Sequence, residues 1–187
     1  MRLLNIINQN SKWVASLVFL YGISQLGRAH ACWCALGVIV LSYACKGLKH
    51  VIRQPRPPGS RKKDPGMPSN HATGIMYCAG YYAATAHDLT PLRVATHAAA
   101  VSVAAGMTWL RVYHGQHTAS QVVAGAVLGG GGAVVWHAAG AAGALGVLQG
   151  HEVLRRTLYT ICIAAFTNFF IKGYRKARRK LLEQKAG

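Results

Sequence analysis

The chain has 187 residues, 52% of them hydrophobic, and carries a formal net charge of +17. That length suits one sizeable domain; the charge would suit nucleic acid, but the apolar residues fall in blocks without a single amphipathic face, which argues against a nucleic-acid partner. Only four acids are present, Asp64, Asp88, Glu152 and Glu183, and their scatter argues against a two-metal carboxylate site or a paired-carboxylate mechanism.

The opening residues, 1–8, carry no clear signal peptide with a cleavage site, and too little chain precedes the first apolar run for a transit peptide. Six apolar runs follow, at residues 13–26, 31–44, 72–86, 94–109, 122–148 and 158–171. A bilayer core asks for about 20 residues per helix. Several runs are shorter, so Lys12, Arg28 and Lys46 are expected to reach to the interface. The expected fold is all-α: a polytopic membrane helical bundle of about six transmembrane helices, forming a single domain over 1–187. In the fifth run, Gly125, Gly129 to Gly132, Gly140 and Gly143 permit close helix approach, and they are also where the run would divide. Cys32, Cys34, Cys45, Cys78 and Cys162 fit no zinc spacing and read as small buried hydrophobes.

Two polar breaks interrupt this pattern. Residues 46–71 hold Lys46, Lys49, Arg53, Arg56, Arg61, Lys62 and Lys63, with prolines at 55, 57, 58, 65 and 68; residues 111–121 form the second break. With six helices, both loops fall on one membrane face, together with the N-terminus and the basic tail at 172–187. That tail reads as a cytoplasm-facing topology anchor that attracts anionic headgroups, continuing as a surface helix. Arg53, Arg61, Lys62 and Lys63 read as a solvated rim, and Asp64 as a partner of that rim or a support of the Pro65–Gly66 turn.

Ionisable groups beside membrane helices are costly and point to function. Lys49, Arg56 and Arg111 are three permanent cations that suit a phosphate dianion, two by planar bidentate contact and one as a point charge. Lys49 and Arg56 are seven positions apart, about two helical turns, so the spacing puts both on one helix face, with Pro55 and Pro57 ending the helix. Ser69 stands at the N-cap of the third apolar helix, whose Asn70 and His71 N–H groups face any anion held there. His71 and His117 supply a proton donor and a nucleophile. His117 and Gln121, four apart, are neighbours on a helix surface. No metal or other cofactor is required where arginine and lysine neutralise the developing charge.

The pattern Lys49-x6-Arg56-Pro57, Pro68-Ser69-Asn70-His71 and Arg111-x5-His117-x3-Gln121 resembles the three-part signature of the type-2 phosphatidic acid phosphatase superfamily, which includes vanadium haloperoxidases and bacterial acid phosphatases. The stretch from Asp64 to Ala72 and the one from Trp109 through Gln121 to Ala126 are similar to plastid lipid phosphate phosphatases of the epsilon type; dolichyl diphosphatases share the His-Thr-x-x-Gln pattern. The resemblance implies His117 as nucleophile, forming a phosphohistidine, and His71 as acid to the leaving alcohol. Lys49, Arg56, Ser69, Asn70 and Arg111 would bind phosphate, and Gln121 would orient His117. Two positions depart from most of the superfamily: Asn70 replaces glycine, and Gln121 replaces an aspartate. A glutamine oxygen can accept from the histidine N–H and fix its tautomer, but brings no charge to stabilise imidazolium. The expected activity is metal-independent hydrolysis of phosphatidate to diacylglycerol in a plastid membrane, or in the endoplasmic reticulum. The alternatives are a polyprenyl or dolichyl diphosphate phosphatase and, from another class, a non-enzymatic membrane scaffold with a degenerate site.

Overall fold

A computed structural model describes residues 28–60, 62–85 and 90–185. The first apolar run, Arg61, His87 and Asp88 lie outside the described residues. Among those described, all regular structure is helical: α1 (Arg28–Ile52), α2 (Asn70–Ala84), α3 (Pro91–Tyr113), α4 (Ala119–Ala139), α5 (Leu145–Gly150) and α6 (Glu152–Lys185). A π-turn at Gly140–Ala144 joins α4 to α5. Two stretches, Ala29–Ile52 and Ala119–Gly150, are long and apolar enough to cross a membrane.

Small residues organise the centre. On α4, a Cβ at Gly125 would lie 2.5 Å from the Ser69 carbonyl oxygen, and one at Gly129 would run into the Thr73 backbone. One turn further on, Ala133 joins Tyr77 in the core, and then His137 meets the edge of Tyr81. The pairs advance together, so α2 and α4 run parallel with backbones close, as small residues one turn apart allow. α1 crosses in the opposite sense: the Cys45 thiol donates to Pro68 O near its end, Gly132 sits against Leu41 further back, and Trp33 stacks on Trp136 near its start. The two indoles exchange hydrogen bonds, each Nε1 donating to the other's backbone carbonyl at 2.9 and 2.8 Å. α3 covers the other side of α2 through Ala104 against Ile75 and Ala79.

The structure narrows two sequence expectations and corrects a third. Of the glycines at which the fifth run could divide, Gly129 and Gly132 lie against Thr73 and Leu41 within an unbroken α4, and the kink comes at Gly143, whose φ of 129° lies in the left-handed region. The basic tail is helical. It continues α6 without a break, and 34 residues make a rod about 51 Å long; its Lys, Arg, Leu and Glu are good helix formers that outweigh Gly173. Finally, Arg56 is not on the helix that carries Lys49. Pro55 removes a backbone donor and biases Gln54 away from helical angles, so α1 stops at Ile52. Arg53 takes φ 51° and its N–H closes back onto Lys49 O at 3.0 Å.

Candidate active site

Four helix ends meet at one place: the end of α1, the start of α2, the end of α3 and the start of α4. Each brings a residue by a local device. Ser69 caps α2, its Oγ accepting from Ala72 N, and its own N–H donates to Gln121 O at 2.9 Å, which ties α2 to α4. After α3, Gly115 adopts φ 62° and turns the chain, so that the N–H groups of Gln116 and His117 both reach Arg111 O. Thr118 then opens α4 with a capping box completed by Gln121.

Gln121 is fully buried and its amide is satisfied on both sides. Its Nε2 donates to Gln54 Oε1 at 3.1 Å and to Pro55 O at 2.8 Å; its Oε1 accepts from Thr118 N at 3.3 Å and lies 3.0 Å from His117 Nδ1. The Pro55 carbonyl accepts only, which fixes which end of the amide is nitrogen. His117 Nδ1 therefore carries the proton, and the ring's lone pair is on Nε2. Gly66 leaves room for this arrangement, since a Cβ there would strike the Gln121 amide.

Arg56 faces that lone pair. Its Nη1 lies 2.7 Å from His117 Nε2 and donates to Gln116 O at 3.1 Å, while Nε donates to Asp64 O and Nη2 to the Asp64 carboxylate, both at 2.9 Å. Lys49 Nζ donates to Pro65 O at 2.5 Å and pairs with Asp64 Oδ2 at 3.4 Å. Arg111 donates through Nη1 to Gln116 Oε1 at 2.5 Å, and its Nη2 lies 3.1 Å from His71 Nδ1. A guanidinium only donates, so His71 Nδ1 accepts and its proton is on Nε2. Arg111 Nε and Asn70 Oδ1 are buried with no hydrogen-bond partner among the described residues.

Burial is the first cause that lowers the His117 pKa, and the charges of Arg56, Lys49 and Arg111 add to it; against the pull of Gln121, it falls to about 4. His117 is therefore neutral at pH 7. Burial raises the Asp64 carboxyl, but Arg56 and Lys49 outweigh it and hold it below its ordinary value.

The structure thus gathers Lys49, Arg56, Ser69, His71, Arg111, His117 and Gln121 around the four helix ends, with Asn70 at the first position of α2. His50 is exposed and His114 packs edge-on against Tyr113. Two residues escaped the sequence reading, Gln54 and Gln116, and the pairing of Asp64 with the site was missed. Asp64 pairs with the two site cations, Lys49 and Arg56. Its signal was present, as the sole acid in either polar break. Among the described residues, no three His, Cys, Asp or Glu side chains gather as a metal-binding group. Two open cavities of about 520 and 480 Å³, one beside Glu152 and Arg155 and the other between α1 and α6, lie away from the histidines.

Two imidazoles thus lie among three cations where the described helix ends meet. Comparison with known proteins gives that site its family: residues 31–143 match the PAP2 superfamily, and the chain belongs to it. It is 30% identical over 135 residues to lipid phosphate phosphatase epsilon 2, chloroplastic, of Arabidopsis thaliana, and 33% identical over 135 residues to the epsilon 1 protein of that plant. Each alignment covers 71% of the chain but 47% and 48% of the relative, so the chain spans about half the length of these curated relatives. No solved structure matches it.

Proposed function

We propose that this protein is an integral membrane lipid phosphate phosphatase that hydrolyses phosphatidate to diacylglycerol and phosphate without a metal ion. The observation that carries this reading is the buried Gln121 amide, which sets the His117 lone pair on Nε2, facing the cations. Lys49, Arg56 and Arg111, with Ser69 and Asn70, hold the phosphoryl oxygens and neutralise charge that develops in the transition state. His117 Nε2 attacks phosphorus; a P–N bond forms and the P–O bond to diacylglycerol breaks. Once Arg111 turns from His71 Nδ1 to the phosphate, His71 is protonated on both nitrogens, and this imidazolium gives its Nε2 proton to the leaving alkoxide. Water then attacks the phosphohistidine, His71 takes its proton, and inorganic phosphate leaves with His117 restored.

In this reading about six helices span the bilayer, and the site loops share one face with the end of α6. Val123, Val127 and Val134 along α4 are exposed, as lipid-facing positions are expected to be. The two chloroplastic relatives favour a plastid membrane.

Phosphate release from phosphatidate and from a polyprenyl diphosphate, by detergent-purified protein in EDTA, tests the proposal. Wild type is expected to hydrolyse phosphatidate, and His117→Ala to lose roughly 10³-fold or more in kcat. Loss of activity in EDTA, or its survival in His117→Ala, rejects the mechanism. Turnover of the diphosphate alone transfers the mechanism to that substrate class, and turnover of neither favours a scaffold.

A further inference from the structure

Lys49 and Arg56 bring two like charges together, and the acid between them belongs to neither the nucleophile nor the proton donor. We propose that Asp64 is an internal stand-in for the substrate's phosphate: its carboxylate occupies the Lys49–Arg56 pair in the free protein, gives way to an incoming phosphate dianion, and returns to displace the phosphate product. The inference rests on the phosphate-binding reading of the pocket.

Three observations support it. The Lys49 and Arg56 side chains are 8% and 6% exposed, whereas Asp64 is 51% exposed. The carboxylate thus reaches two buried cations from the solvent side, the side from which an anion arrives. Next, the cations do not depend on the carboxylate for their placement. Backbone carbonyls hold them: Pro65 O takes Lys49 Nζ, while Asp64 O and Gln116 O take Arg56 Nε and Nη1. Finally, Arg56 Nη1 stands 2.7 Å from His117 Nε2, where phosphorus has to come, while its Nη2 is fixed by Asp64 Oδ2. A phosphate that takes Asp64's place gives Nη2 a new acceptor and lets the guanidinium turn off the lone pair. Binding is then an exchange of one anion for another, and apparent affinity is reduced by the fraction of molecules in which Asp64 occupies the pair.

The test measures binding of inorganic phosphate, and separately of a non-hydrolysable phosphonate analogue of phosphatidate in micelles, by calorimetry on the full chain. Asp64→Asn and Asp64→Ala are expected to bind both ligands about five- to tenfold more tightly than wild type. Phosphate should inhibit their turnover more strongly by the same factor. Asp64→Glu, which keeps a carboxylate, should stay near wild type, and Lys49→Ala should bind more weakly. Unchanged or weaker binding in both neutral variants, with Lys49→Ala still impaired, overturns the role of Asp64 and leaves the pocket intact. Tightening for the lipid analogue alone also overturns it, since Asp64 would then act on the headgroup's approach. If wild type and all variants fail to bind either ligand, the phosphate pocket itself is wrong and the stand-in falls with it.

Discussion

The Gln121 amide joins two loops distant in sequence, since one side holds His117 and the other holds Gln54 and Pro55. Gln121→Ala strands the Pro55 carbonyl and the His117 N–H in a buried place and opens a cavity, so a loss of about 2–4 kcal/mol is expected in thermal unfolding. Gln54→Ala, which leaves the Pro55 bond in place, should cost less, about 1 kcal/mol. Asp at position 121 is a methylene shorter and cannot span from His117 to Pro55, so Gln121→Asp should lower activity. The charge environment of His117 gives a second expectation. Its folded pKa of about 4 lies below the ordinary 6.5. The folded protein therefore binds fewer protons than the unfolded chain between those values. His117 contributes stability that is full above pH 6.5 and is lost as pH falls through the folded value. Nitrogen NMR of labelled histidines should find His117 unprotonated at Nε2 down to about pH 4, and Arg56→Ala should move that titration up toward 6.5. The His117–Gln121 contact was legible because four residues bring side chains together on any helix. Gln54 was not, nor was the pairing of Asp64 with Lys49 and Arg56, since both act from a loop whose path depends on where Pro55 ends α1 and how Gly66 approaches Gln121.

At the scale of elements, the α2–α4 seam decides where Ser69 and Gln121 sit. The glycines of α4 suggested close helix contact in the sequence, but the partner and the parallel direction depend on the loops and α3 between them. Gly129→Ala is expected to lower stability by about 1–3 kcal/mol, because its methyl meets the Thr73 backbone and not a flexible side chain. Gly130→Ala, where a Cβ meets nothing within 4 Å, should be neutral or slightly stabilising and serves as the matched control. Thermal melts of both variants in the same detergent check the pair. Counting helical positions puts Arg56 on the α1 face, but Pro55 ends the helix before Arg56 is reached; the guanidinium still arrives at the site, carried by the turn at Arg53.

Across the whole molecule, α6 packs alongside α1 in the same direction. Ala29 neighbours Glu152 and Tyr159, the Cys162 thiol donates to Cys32 O, and Ala35 lies by Phe166, so the contacts climb both helices together. The basic end of α6 thus points the way Lys49 does. Single-cysteine variants at positions 62 and 178, in a cysteine-free background in sealed vesicles, should react with an impermeant maleimide from the same side; labelling from opposite sides would show that the end of α6 and the site loops face different compartments. At the far end of α1, the reciprocally bonded indoles of Trp33 and Trp136, with centroids 4.7 Å apart and planes 24° from parallel, form a coupled chromophore. Such a pair gives an exciton signal in circular dichroism that vanishes when either ring is replaced or α1 separates from α4. The chain therefore carries its own optical gauge of bundle assembly, remote from His71 and His117, by which a variant that has lost its chemistry can be told from one that has lost its fold.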